Sequence, residues 1–477
     1  MRITYWARVA LLVLVASGVT ILAQSFKAGV GQADIQTSPS MFPIMEFTGQ
    51  HDPASARVLL LDDGAQRIAL SVVDMPSIQD PSIFGWKAIL TRVTGIKAEN
   101  VLVIANHDTP APHVSASGVL EVPVLAHAMY PGADSGPRPE PANAGGSAPS
   151  MAAQVANLKA YTKAVDDAVE AAATKAVATL QPVRVGFGFG TSWVNVSTAL
   201  LTPKGWTNGV NDEGFTDPSL ALIRFSSLDG KPLAWLMDYA MQPSVMTGSK
   251  TESGGTLISG DLIGVARHYL ETQYGSSATA IFLMGAASDQ QPLFTAVRSV
   301  LDKDGNSSQI DIHEAGYTLV DLIGERLGSD AVRVNEAIKP SAAPTKLRLV
   351  RQSVEVDTQP PPQTNGAAPA AAYPIGQKAA IPYVLLQIGD VVIVGTVHEL
   401  SASTGAKIRS ESPFPHTIVA TMVEGSNGGL PDSSAYDRRT NTGLYSIYAR
   451  GSAERVVAAM EAQLKQLHDT AAVSESK

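Results

Sequence analysis

The sequence predicts a mixed α/β protein. Three observations carry that expectation: paired apolar runs split by turn residues, buried apolar runs ending at polar clusters, and long segments of helical period between them. Ala56–Leu61 and Arg67–Val73 flank Asp62-Asp63-Gly64-Ala65 and read as a β-hairpin. Phe84–Val93 has helical period, and Val101–Ala105 is a buried strand that stops at Asn106-His107. Met151–Leu180 carries Ala and Val at helical spacing, and Val183–Phe189 returns as a strand. A second hairpin joins Ser219–Phe225 to Leu233–Tyr239. Ser259-Gly260-Asp261 opens a helix to about residue 274, and Ala278–Met284 is another buried strand ahead of Gly285–Asp289. Val384–Val394 reads as a hairpin, Glu399–Arg409 as a helix, Thr417–Met422 as a strand and Ala453–Leu467 as a terminal helix.

Arg2 and Arg8 precede an apolar run from Val9 to Ala23, the layout of an export signal over residues 1–25. Small residues at Ala23 and Ser25 suit cleavage, whereas Tyr5–Ala23 retained would serve as a membrane anchor. Either way the protein is expected outside the cytoplasm. The chain has no cysteine, so neither a lipidated cysteine nor a disulfide is available and the core alone must hold the fold. At 477 residues and 45% hydrophobic content it can. A net charge of −9 without any basic stripe excludes nucleic acid as a partner. One domain is expected over residues 26–470, with Pro/Gly-rich loops at 118–150 and 359–377 and a disordered tail at 471–477.

Chemistry concentrates at three places. Asn106–His113 follows a buried strand, and His107 suits a zinc ligand, although the residues alone favour a histidine hydrogen-bonded within a turn. Ser259-Gly260-Asp261 offers free N–H groups at a helix start, or is an ordinary N-cap. Val397-His398-Glu399-Leu400 opens like a zincin helix, but Ala402 stands where the second histidine is needed, leaving Glu399 as a metal ligand, a base or a helix-dipole partner. There is no nucleophile elbow, P-loop or dinucleotide fingerprint.

Taken in order, Ala28–Ile35, Ala105–Pro112, Ile258–Asp261, Gly285–Pro292 and Val397–Lys407 resemble segments of the N-terminal domain of the neutral/alkaline, non-lysosomal ceramidases. The resemblance implies an exported amidohydrolase in which zinc-activated water cleaves the N-acyl bond of ceramide or a related amphiphile, with a lipid substrate and a membrane surface as partners. It implies His107 and Glu399 as zinc ligands and Ser259 as the active-site serine. It also marks departures. Gln242, whose side-chain oxygen can ligate zinc as a weaker ligand, stands at a second ligand histidine, Gly429 at a ligand tyrosine, Thr109 at a loop histidine and Val196 at a substrate-contacting arginine. Asp108, His113 and His127 are at hand to complete a shifted zinc sphere; without one, the implied alternative is a catalytically silent binding protein, and hydrolysis of another amide or ester is a third reading. The immunoglobulin-like domain carried by many of these enzymes is not expected after Leu467.

Overall fold

The structure is a computed structural model that describes residues 26–78, 80–115, 150–275, 278–341, 345–359, 376–425 and 428–475. Eight strands form the larger sheet: β1 (Lys27–Asp34), β2 (Ser55–Asp62), β3 (Arg67–Val73), β4 (Val101–Ala105), β5 (Gln181–Thr191), β6 (Ser219–Ser227), β7 (Pro232–Tyr239) and β8 (Thr279–Met284). Their order is β8-β7-β6-β5-β1-β2-β3-β4, with parallel pairs only at the two edges, β7 with β8 and β3 with β4. A four-stranded sheet, β9 (Leu347–Asp357), β10 (Lys378–Ile388), β11 (Val391–Thr396) and β12 (His416–Ala420), packs against it.

Alternation along the strands decides the layers. In β2, Ala56, Val58 and Leu60 face a cluster completed by helices α1 (Asp80–Thr94), α2 (Met151–Ala178), α3 (Asp261–Gln273) and α4 (Gly316–Ala337). Leu59 and Leu61 face the opposite way, onto Leu386, Ile393 and Ile418 of the second sheet. The far side of that sheet, with Leu385, Val392 and Val419, is covered by α5 (Ala402–Glu411) and α6 (Ser452–Glu475). The result is helices, sheet, sheet, helices, with three apolar clusters between them. Glycine is required where β1 meets α2, since a Cβ at Gly29 or Gly31 would lie 2.1 Å from the carbonyl oxygen of Ala176 or Ala172.

The larger sheet is two four-stranded halves that share a ladder of only two pairs, Lys27 with Pro182 and Ala28 with Gln181. A second joint is made by residues 421–424. The Thr421 N–H donates to Met284 O (2.8 Å), Glu424 N–H to Val103 O (2.7 Å) and Val423 N–H to Thr396 O (2.9 Å). Met422 and Glu424 adopt positive φ there, a conformation that non-glycine residues hold only when their surroundings impose it.

The predicted hairpins, the buried strands ending at Ala105 and Met284, and the helices at 151–178 and 261–273 are all present. One expected element changes. Glu399 and Leu400 form a short parallel pair with Gly429 and Leu430, and α5 begins only at Ala402, because the Ser401 hydroxyl caps it by accepting from the Thr404 N–H. Glu399 therefore does not sit in a helical first turn. The expected loops at 118–150 and 359–377 fall almost wholly outside the described residues, as do residues 1–25, and the terminal helix runs through Glu475. Among the described residues no helix is long and apolar enough to cross a membrane.

Candidate functional site

The polar clusters predicted at strand ends come together. The Thr109 N–H and hydroxyl both donate to Pro243 O, at 3.2 and 3.0 Å, tying the loop after β4 to the loop after β7. The Ser259 N–H donates to Pro110 O (3.0 Å), and the Ser288 N–H donates to Leu400 O (3.0 Å), adding the start of α3 and the loop after β8. His107, Gln242, Ser259 and Glu399 are thus carried by four segments that hold one another.

His107 is buried at positive φ, and its Nδ1 lies 2.7 Å from Pro76 O. A carbonyl only accepts, so the ring proton belongs on Nδ1 and Nε2 keeps its lone pair. That Nε2 is buried and has no hydrogen-bond partner. Glu399 is also buried, and Gln242 Nε2 donates to its Oε2 at 2.9 Å. The amide turns its NH₂ toward the carboxylate, and an NH₂ offers a metal no lone pair. Gly429 lies beside Glu399 in the parallel pair; a Cβ there would meet Ser288 Cβ at 3.9 Å and Glu399 O at 4.0 Å, ordinary contacts that leave room for a side chain.

Of the neighbours expected to complete a shifted sphere, His113 and Asp108 are described. His113 Nδ1 lies 3.3 Å from the Ser77 hydroxyl, and burial, helped by His107, brings its pKa down to about 4. Both carboxylate oxygens of Asp108 are buried without partners, and burial together with the charges of Asp74 and Asp261 holds this acid well above the usual range. His127 lies outside the described residues. No group of three or more His, Cys, Asp or Glu side chains able to hold a metal ion occurs among the described residues. His107 and Glu399, the latter already bonded by an amide, are by themselves fewer donors than the three or four that zinc takes from a protein.

Ser259 is fully buried. Its hydroxyl donates to Asp52 Oδ2 (2.6 Å) and accepts from the Asp261 N–H (3.0 Å), while Asp52 Oδ1 accepts from the Gly260 N–H (2.7 Å). The helix start is therefore held by Asp52, from a distant loop, at the N-cap Gly260 N–H, and by Ser259 at the first helical N–H. His51 extends this chain outward, with Nδ1 2.8 Å from Asp52 Oδ2 and its ring stacked on Tyr317. Sequence reading missed both residues, since nothing local links positions 51–52 to 259. Val196 is buried in a short strand opposite Gln291.

Beside Glu399, the buried His398 sets its Nδ1 3.3 Å from Gly428 O and its Nε2 2.9 Å from the Tyr448 hydroxyl, and burial brings its pKa down to about 4. An unfolded histidine takes up a proton near pH 6.5 that the folded one refuses until about pH 4, so stability is lost as pH falls through that window. His398→Gln is expected to remove about 3 kcal/mol of that fall, read from denaturant midpoints measured across the window.

The layers and the loops that converge at their strand ends define an α/β class in which a polar site is assembled from several loops. Two solved structures share that fold. One is the crystal structure of neutral ceramidase from Pseudomonas aeruginosa, with a TM-score of 0.64, 16% identity, and 92% of this chain and 73% of that chain covered. The other is a ceramidase complexed with C2, with a TM-score of 0.65, 16% identity, and 93% and 76% covered. The chain thus has a ceramidase-like fold. No protein-family model matches the chain, and no curated protein matches it in sequence.

Proposed function

We propose that this chain is an exported, metal-independent binding protein on a ceramidase-like fold, taking an N-acyl amphiphile of the ceramide class. The carrying observation is the Gln242–Glu399 hydrogen bond, which sets an N–H donor on one oxygen of the carboxylate that zinc would need, where a ligand would bring a lone pair. In this reading the lone pair of His107 Nε2 accepts an N–H or O–H of the ligand, supplying the partner that this buried atom lacks. Export rests on the apolar segment within residues 1–25, which suits a protein that meets lipid beyond the cytoplasmic membrane.

The same Nε2 lone pair favours one other reading, a divergent zinc amidohydrolase using His107 and Glu399, with Ser259 near the reacting amide. Metal analysis after zinc loading and dialysis separates the two. Substoichiometric zinc, unchanged by His107→Ala, is expected, together with saturable binding of a water-soluble short-chain N-acyl sphingoid base without its hydrolysis. One equivalent of zinc that disappears in His107→Ala, or turnover of that ligand, would overturn the binding-protein reading.

A further inference from the structure

Two hairpins outside the layered core project side by side. The first pairs Asn195–Thr202 with Gly205–Asn211, and the second pairs Val297–Leu301 with Ser307–Asp311. Their tips touch: a Cβ at Gly305 would lie 3.4 Å from Pro203, and Lys204 Nζ bonds the Asn306 side chain. Of the exposed large apolar side chains among the described residues, seven of thirteen fall on these hairpins or at their bases, which makes this a patch and not the usual scatter. Trp193, Leu201, Val210, Phe215, Phe294 and Ile310 are between 41% and 64% exposed. Trp193 and Phe294 extend the antiparallel register set by Asn195 with Pro292 and by the Leu293 N–H to Val194 O, so they are cross-strand neighbours on one face.

Charge selects what covers such a face. Lys204, Arg298, Lys303 and Arg438, the last seated over the Trp206 ring, are matched one for one by Asp212, Glu213, Asp302 and Asp304. Asp311 turns back to the body, accepting from the Ser249 hydroxyl and the Lys250 N–H. The chain carries −9 overall, yet this face, with four cations against five carboxylates once Asp311 is counted, is nearly neutral. A nearly neutral face with Trp and Phe among charged residues complements a zwitterionic lipid interface, where aromatic rings partition, and offers little to a strongly charged macromolecule. The patch also joins the candidate site. Gln290 pairs with Ser197 of the first hairpin, and Asn195 Nδ2 donates to Ala240 O (2.8 Å), two residues before Gln242.

We propose that the paired hairpins dock the protein on a zwitterionic phospholipid bilayer, with Trp193 and Phe294 entering the interface. The proposal rests on the amphiphile-binding reading for its purpose, since a ligand dissolved in a bilayer must be met there. The test uses the purified chain with phosphatidylcholine vesicles carrying bromine-labelled acyl chains. Bromine quenching of tryptophan emission is expected in the wild type and is expected to fall in Trp193→Phe, a difference to which an anchor bearing Trp6 contributes equally in both proteins. Trp193→Ala with Phe294→Ala is expected to weaken vesicle partition of the mature chain at least about tenfold. Phe84→Ala, at an exposed apolar residue elsewhere, is expected to leave it unchanged. Equal quenching in wild type and Trp193→Phe would overturn the proposal. So would a self-associated species that the double variant dissolves, which would assign the face to a second copy of the chain. Short-chain ligand binding that persists while quenching is absent removes docking alone; quenching without ligand binding removes the binding reading alone.

Discussion

Gln242→His combined with Gly429→Tyr is expected to bind zinc at least about 100-fold more tightly than the wild type, read by competition with a chromophoric chelator. The first change replaces an N–H donor on Glu399 with an imidazole lone pair and frees the carboxylate. With His107 Nε2 already buried and unpartnered, two imidazoles and a carboxylate are then available as zinc donors. The second change puts a phenol in the space above Gly429, where a Cβ has no contact closer than 3.9 Å. Supporting groups around zinc alone are worth roughly 10–100-fold in affinity, so a restored ligand should give at least the upper figure. Gly429→Tyr alone should change little, because the amide still occupies Glu399. Unchanged affinity in the double variant would show that these four positions do not converge on one ion, and with it the carrying argument for a lost metal site would fall.

Asp74→Ala is expected to destabilise the protein by about 3–5 kcal/mol, the cost of leaving a buried charge uncompensated. Asp74 accepts both guanidinium nitrogens of Arg267 (2.7 and 2.8 Å), the N–H and hydroxyl of Ser55 (both 2.8 Å) and the Asn106 amide (2.5 Å). Arg267 and Asp74 are essentially inaccessible to water, and Arg57, bonded to Glu271, lies close enough to add to the positive field. Burial pushes the Asp74 carboxyl up, but the charge of Arg267 and its hydrogen bonds outweigh that and hold it below the usual range. Its contribution is therefore complete above the unfolded carboxylate pKa, about 3.9, and is lost as pH falls through the lower folded value. Replacing both partners by apolar residues, as in Asp74→Leu with Arg267→Met, should recover most of the loss, since a well-packed apolar pair costs far less than a lone charge. Urea midpoints of the three proteins measure both effects, and a double variant no better than Asp74→Ala would refute the pairing argument. Asn106 precedes His107, so the same carboxylate also fixes the loop that carries the imidazole.

What the sequence made legible follows the range of the interactions. Val101–Ala105 and Thr279–Met284 are apolar on both faces, and such runs announce themselves without knowledge of their neighbours. The helix at 316–337 and the strand at 347–357 went unassigned. The helix carries three glycines, and the strand alternates Arg, Gln and Glu with aliphatic residues half-exposed at the sheet edge, so neither has a strong local signature. At the site, the segments bearing His107, Ser259 and Glu399 were found from the residues themselves, because strand ends and helix starts have local signals. The roles of Gln242 and Gly429 were not: a glutamine or glycine means nothing until a distant carboxylate is shown beside it. Asp52, which holds the start of the helix at 261, lies 208 positions from the N–H it binds, beyond any local pattern.

The joint at residues 421–424 also sets an order of events. Both halves of the larger sheet are complete by Met284, yet they share only two ladder pairs until a segment near the end of the chain bridges them. Glu399 and Gly429 flank that segment. A chain emerging from its N-terminus can therefore form each half by contacts of modest sequence separation, while the closure that fastens the halves must wait for the last quarter of the polypeptide. Chains cut short before residue 421 would leave the edges of β4 and β8 open to other molecules, so truncation should appear as aggregation before it appears as loss of binding.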